Sequence, residues 1–204
     1  MKVIEDPVLA GRLVSVFSGF ATMLGLWMLS YELFKSKYIA FIAAILYVTY
    51  PFAQVHDRMA LMDSMVATFF VWAVYFSILL ARHVRLDIAY TLGFVIGGGV
   101  LTKSIGFLNI YLLPLTLLLF DLKSKNLLQR VAKWAVLALF VVIVSQLIYS
   151  ILRLSPYFHM IDAKNETFIY PLREWIKHPI EFLPGNLQGL TTWLFEYLSY
   201  LSMI

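Results

Sequence analysis

Four residues within Tyr50–Ser64, namely His56, Asp57, Arg58 and Asp63, put ionisable chemistry between two almost wholly apolar stretches, and Lys103 closes another such stretch. An ionisable group in or beside a membrane span costs a few kcal/mol unless it is paired, wetted or functional, so these residues mark a candidate site. Arg58 presents a planar, permanently charged fork suited to a phosphate or carboxylate, the chemistry needed to hold a phospholipid-like headgroup. The alternative for Arg58 is an interfacial side chain snorkelling to lipid headgroups. Five residues separate Arg58 from Asp63, about 140° on a continuous helix. The two converge only if Arg58 lies in the turn before the helix. Asp63 then falls in the first turn, facing the positive end of the helix dipole.

Asp57 reads either as a solvated loop acid or as a contact to substrate, and His56 as an interfacial polar residue. His56, Asp57 and Asp63 lack any metal-ligand spacing, so no metal is expected. Lys103 is a second cation at the same surface, or a headgroup anchor. Gly97-Gly98-Gly99 matches no phosphate loop and sits inside a span, so no nucleotide and no other cofactor is expected. Those glycines either admit another helix or lipid chain to the backbone or mark a tolerated flexible spot.

The elements that must position these groups are membrane helices. The chain has 204 residues, 61% hydrophobic and only 14% charged, with a mean hydropathy of +0.82, far from the soluble globular range. It has no cysteine, which excludes disulfides and thiol chemistry. The net charge of +4 is spread over several loops, without the dense basic stripe that nucleic-acid binding requires. Glu5 and Asp6 precede a full-length apolar run, unlike a removable signal peptide. No repeat of fixed period and no linker of biased composition interrupts the chain.

The apolar runs predict an all-α, polytopic membrane protein with six complete spans and a partial seventh: Leu13–Leu33, Tyr38–Val55 with Pro51 near its far end, Ala60–Ala81, Ile88–Thr102, Leu108–Phe120 with Pro114 inside, Trp134–Leu152, and the incomplete Leu190–Ile204. Three parts follow: a transmembrane domain over residues 1–152, an extracytoplasmic interfacial segment over 153–188, and a partial transmembrane helix over 189–204. Lys35 and Lys37, Arg82 and Arg85, and the loop from Lys123 to Lys133 fall on one side, which the positive-inside rule makes cytoplasmic. The His56–Asp63 stretch, the Lys103 turn and the segment after Leu152 share the opposite face.

In that last segment Asn165-Glu166-Thr167 has the form of a glycosylation acceptor. Tyr157, Phe158, Phe168, Tyr170, Trp175 and Phe182, mixed with Arg173, Lys177 and His178, read as an amphipathic stretch on the membrane surface or as a lid over a cavity.

Three places resemble the GT-C type glycosyltransferases that use polyprenyl-phosphate sugars, the superfamily of the protein O-mannosyltransferases and the lipid A aminoarabinose transferases. Ala10-Gly11-Arg12-Leu13-Val14-Ser15 is similar to the family's Ala-Arg-Leu-Pro-Ser opening of a helix, with Val14 in place of proline. Asp57-Arg58-Met59-Ala60-Leu61-Met62-Asp63-Ser64 is similar to its Arg-x-x-x-x-Asp motif, and Gly99-Val100-Leu101-Thr102-Lys103 to its Leu-Thr-Lys helix end, here followed by Ser104. The likeness covers residues 8 to 155.

The resemblance implies that Arg58 and Lys103 lie near the lipid phosphate, with Asp57 beside them, and Asp63 in the active-site cavity. It implies transfer of a sugar from a polyprenyl-phosphate donor to an extracytoplasmic glycan, lipid or protein acceptor, with inversion, in the plasma (inner) membrane. In such enzymes the principal catalytic acid lies in a loop before the Ala-Arg-Leu-Pro-Ser segment. This chain starts almost at that segment, and Glu5 and Asp6 sit too close to the helix to match. The expectation is a fragment truncated at both ends, holding part of the donor site without the general base and not turning over alone. The competing readings are a small transporter or lipid-phosphate-binding subunit, which would favour inverted repeats, and a structural scaffold with incidental interfacial charge.

Overall fold

The computed structural model describes residues 6–120, 126–161, 163, 172–178, 180, 181 and 183–199. Glu5, Lys123, Lys125, the Asn165-Glu166-Thr167 triplet, Phe168, Tyr170 and Phe182 lie outside the described residues.

The architecture is all-α among the described residues. Helix α1 runs Pro7–Phe34, starting earlier than hydropathy predicts because the Asp6 carboxylate accepts from the Val8 amide and Pro7 occupies the first turn. Helices α2 (Lys37–Thr49) and α3 (Pro51–Arg58) form a pair bent by 62°. Pro51 has no amide proton to continue α2, and Tyr50 before it is extended, as a residue preceding proline prefers. Helix α4 spans Asp63–His83 and α5 spans Leu86–Thr102. The following apolar run divides into a 3-10 segment Ser104–Phe107, a short α6 (Leu108–Leu112) and a second 3-10 segment Leu113–Leu119. Helix α7 runs Leu127–Tyr149 and passes into a 3-10 turn, Ser150–Leu154.

The protein is polytopic, but six complete spans is a correction to be made. Three helices are long and apolar enough to cross a membrane, Pro7–Phe34, Asp63–His83 and Leu127–Leu154, with the bent α2–α3 pair as a fourth. Leu86–Thr102 and Ser104–Leu119 are shorter. Apolar composition alone made them look complete. Pro114 and the close approach at Gly106 instead divide the second: a Cβ on Gly106 would collide with the backbone of Gly99.

The chain divides into two compact units, residues 1–151 and 152–204. In the first, α1 packs between α2 and α4, α4 packs on α5, and α5 on α7. The contact of α1 with α4 and with the residues just before it is made on α1 by small residues: Gly11, Ser15, Ser18, Thr22 and Gly25 form one stripe, and a Cβ on Gly11 would meet the Ala60 Cβ at 2.8 Å. Such stripes let membrane helices approach closely, and hydroxyls then bond across the gap. Thr68 Oγ1 lies 2.9 Å from Thr22 Oγ1 and donates to the Ser18 carbonyl at 2.8 Å, and the Trp72 indole donates to the Ala21 carbonyl at 3.0 Å. Between α4, α5 and α7 the core is apolar, centred on Leu80, Leu92, Ile96 and Val141. The three consecutive glycines serve this packing: Gly97 faces Ile148 of α7, and Gly98 and Gly99 face Phe69 of α4.

In the second unit, α8 (Leu172–Lys177) and α9 (Leu183–Ser199) are described. His178 Nδ1 and Glu181 Oε2 lie 2.8 Å apart between them. Helix α9 runs without interruption through residues 188 and 189, and its Leu187, Leu190, Trp193 and Phe195 are exposed.

Candidate functional site

The charged residues fall at the two ends of the first unit. At one end Glu32 of α1 accepts from Arg82 of α4 and from Lys35 Nζ at 2.6 Å, and Arg130 of α7 donates to the Arg82 carbonyl at 3.1 Å. The Arg130 guanidinium also sits 5.4 Å from the Phe120 ring centroid. The basic turns read from the sequence are thus gathered at one end by mutual contacts. Glu32 was missed in the sequence because it lies one turn from the end of an apolar run and matches no motif.

At the other end the sequence-predicted site residues form two groups. Asp63 is the first residue of α4, and Lys103, just past the end of α5, donates to its Oδ1 at 2.8 Å. Both side chains are about half exposed, 46% and 55%. Two residues forty apart meet because α4 and α5 are antiparallel neighbours joined by the Val84–Arg85 turn.

Asp57 and Arg58 belong to the second group. Both end α3, so Arg58 does precede the α4 helix, but it does so at the end of another helix and not in an open turn. Asp57 is half-buried, and its Oδ2 accepts from the Tyr47 hydroxyl at 2.9 Å. A Cβ on Gly19 of α1 would collide with that oxygen, so only glycine leaves room for the carboxylate. Asp57 is therefore not a freely solvated loop acid. It ties α2 to α3 against α1. Arg58 is exposed and makes no ion pair or hydrogen bond among the described residues.

Two cavities use different faces of α3. One, about 260 Å³, is lined by Val16, Gly19, Tyr47, Gln54, Asp57 and Arg58. It shares Met23 and Val48 with a groove of about 470 Å³ between α1 and α2, otherwise lined by Leu24, Trp27, Phe41, Ala44 and Ile45 with Thr49 as its one polar residue. The other cavity, about 370 Å³, is lined by Phe52, His56, Asp63, Phe70, Ile105 and Asn109 among others. The residues brought together are thus Asp63 with Lys103 and Asp57 with Arg58; Asp63 lines one space and Asp57 and Arg58 another. Asn109 escaped notice as a lone amide in a leucine-rich run. That isolation was itself the available signal.

No cluster of three or more metal-ligating side chains occurs among the described residues. No curated protein and no solved structure matches the chain. Residues 1–149 match the family model described as dolichyl-phosphate-mannose-protein mannosyltransferase, a stretch that takes in every element from α1 to α7 and both charged ends. The chain belongs to the dolichyl-phosphate-mannose-protein mannosyltransferase family, and with it to the membrane glycosyltransferases of the GT-C type.

Proposed function

We propose that this chain holds the donor side of a glycosyltransferase that takes a sugar from a polyprenyl phosphate, with Arg58, Lys103 and Asp57 binding substrate and Asp63 in the catalytic cavity. The observation that carries the reading is Arg58: an exposed guanidinium, without a partner among the described residues, that lines a cavity sharing Met23 and Val48 with a largely apolar groove. An anionic head and a branched hydrocarbon tail match those two surfaces in order. Asp57, which accepts from Tyr47 in the same cavity, would repel the phosphate and take a donor hydroxyl instead, leaving the anion to Arg58.

In the reaction the acceptor oxygen bonds to the anomeric carbon from the face opposite the phosphate, while the bond from that carbon to the phosphate oxygen breaks. The electron pair goes to the phosphate, and the acceptor loses its proton to a base. Fixed cations stabilise the charge that develops on the leaving group. Arg58 is one such cation and Lys103, aimed by Asp63, is the other. The acceptor, a glycan, lipid or protein group, would approach from the extracytoplasmic face of the plasma (inner) membrane. The basic residues gathered at the far end of the bundle favour the cytoplasm for that end. Residues 153–188 would then be extracytoplasmic and 189–204 part of a further membrane helix, a reading supported by the exposed leucines and Trp193 of α9.

The test is binding of a short-chain polyprenyl phosphate to the detergent-purified chain. Arg58→Ala should weaken it about tenfold or more and flatten its salt dependence. Equal binding by wild type and variant would return Arg58 to the role of a headgroup anchor.

A further inference from the structure

The cavity at Asp63 differs in character from the one at Arg58. Its walls combine aromatic rings with neutral and charged polar groups: Phe52 and Phe70 on one hand, His56, Asp63 and Asn109 on the other. The Phe52 and His56 rings lie against each other with centroids 3.9 Å apart, so the two form one surface. Asn109 is 3% exposed, yet its Oδ1 has no hydrogen-bond partner among the described residues. A buried polar atom without a partner is costly and needs a reason. Asn109 lines this cavity and also a second of about 300 Å³ whose other walls include Ala73, Leu112 and Leu115, and the broad terminal torsion of an amide lets it adapt to a polar ligand. At about 370 Å³ the space is within the range of small-ligand sites.

We propose that this cavity receives the pyranose ring of the donor, with Asn109 hydrogen-bonding a ring hydroxyl and Phe52 packing on the sugar. A pyranose has the two surfaces these walls call for. Its polarised C–H faces pack on the negative face of an aromatic ring, and its hydroxyls satisfy an amide and a carboxylate. Arg58 ends α3 and His56 is two residues before it, so a glycosyl phosphate lying across the end of that helix meets the cation on one face and this cavity on the other. The inference rests on the donor reading above and adds to it the residues that recognise the sugar.

The experiment compares two probes on the full chain: a short-chain polyprenyl phosphate, bare and carrying one mannosyl group. Wild type should bind the sugar-bearing lipid about tenfold more tightly than the bare one, the scale of one or two hydrogen bonds and a stacked ring. Asn109→Ala should remove most of that increment while binding of the bare phosphate holds, which also reports that the variant is folded. Phe52→Leu, at a position 37% exposed, gives a second test that does not disturb a buried site. Equal binding of the two lipids by wild type, or an increment retained in both variants, would overturn the sugar subsite and leave the Arg58 reading standing. Failure of wild type to bind either lipid would overturn both.

Discussion

The two ends of the helical unit use the same residue types for opposite purposes. At the Glu32 end every named charge is committed: the carboxylate, 14% exposed, holds Arg82 and Lys35, and Arg130 bonds to the backbone of α4. At the Asp63 end the Arg58 guanidinium has no partner among the described residues and the ion pair is half exposed beside a cavity. The carboxylate that crosslinks α1 to α4 is largely covered and doubly paired, whereas the charge we assign to a ligand is left accessible. The same distinction separates Asp57, spent on Tyr47, from its neighbour Arg58.

If that contrast is right, the largest effect on stability belongs to the saturated end. Glu32→Ala strips Arg82 and Lys35 of their partner and should cost about 2 kcal/mol, read by thermal unfolding in detergent, with binding of polyprenyl phosphate intact in the folded fraction. A cost below about 1 kcal/mol would mean that this end is no more structural than the other. Asp63→Asn should do the reverse. Breaking a half-exposed pair costs less than about 1 kcal/mol of stability, and freeing Lys103 from its carboxylate should tighten binding of the bare lipid phosphate several-fold at low salt. A large loss of stability from Asp63→Asn would make the pair a structural clamp and blur the comparison.

Much of the framework was legible in the sequence. Long apolar runs bounded by charge specify α1, α4 and α7, and alternation of those runs brings Asp63 and Lys103 to one end. What could not be read was orientation within the unit. Pro51 announces a break, but the 62° bend goes with the packing of Asp57 on Gly19 and Tyr47, which come from two other helices. His56 and Arg58, two residues apart on α3, face opposite sides by helical geometry alone, and the bend decides which cavity each side meets. The run from Leu108 to Phe120 is leucine-rich, but apolarity reports a membrane environment and not a regular helix. With Pro114 inside and Gly106 pressed on Gly99 just before it, 3-10 geometry takes over. The stripe of Gly11, Ser15, Ser18, Thr22 and Gly25 was readable at spacings of four and three, and it foretells the close α1–α4 contact.

The central claim is that a polyprenyl phosphate lies with its head at Arg58 and its tail in the groove between α1 and α2. Photocrosslinking with a short-chain polyprenyl phosphate that carries a diazirine in its tail, followed by peptide mapping, tests it most directly. The account predicts adducts concentrated on Met23–Trp27 and Phe41–Thr49 that are lost in Arg58→Ala and in excess unlabelled lipid. Adducts spread evenly over the outward faces of α1, α2 and α7, insensitive to both, would contradict it.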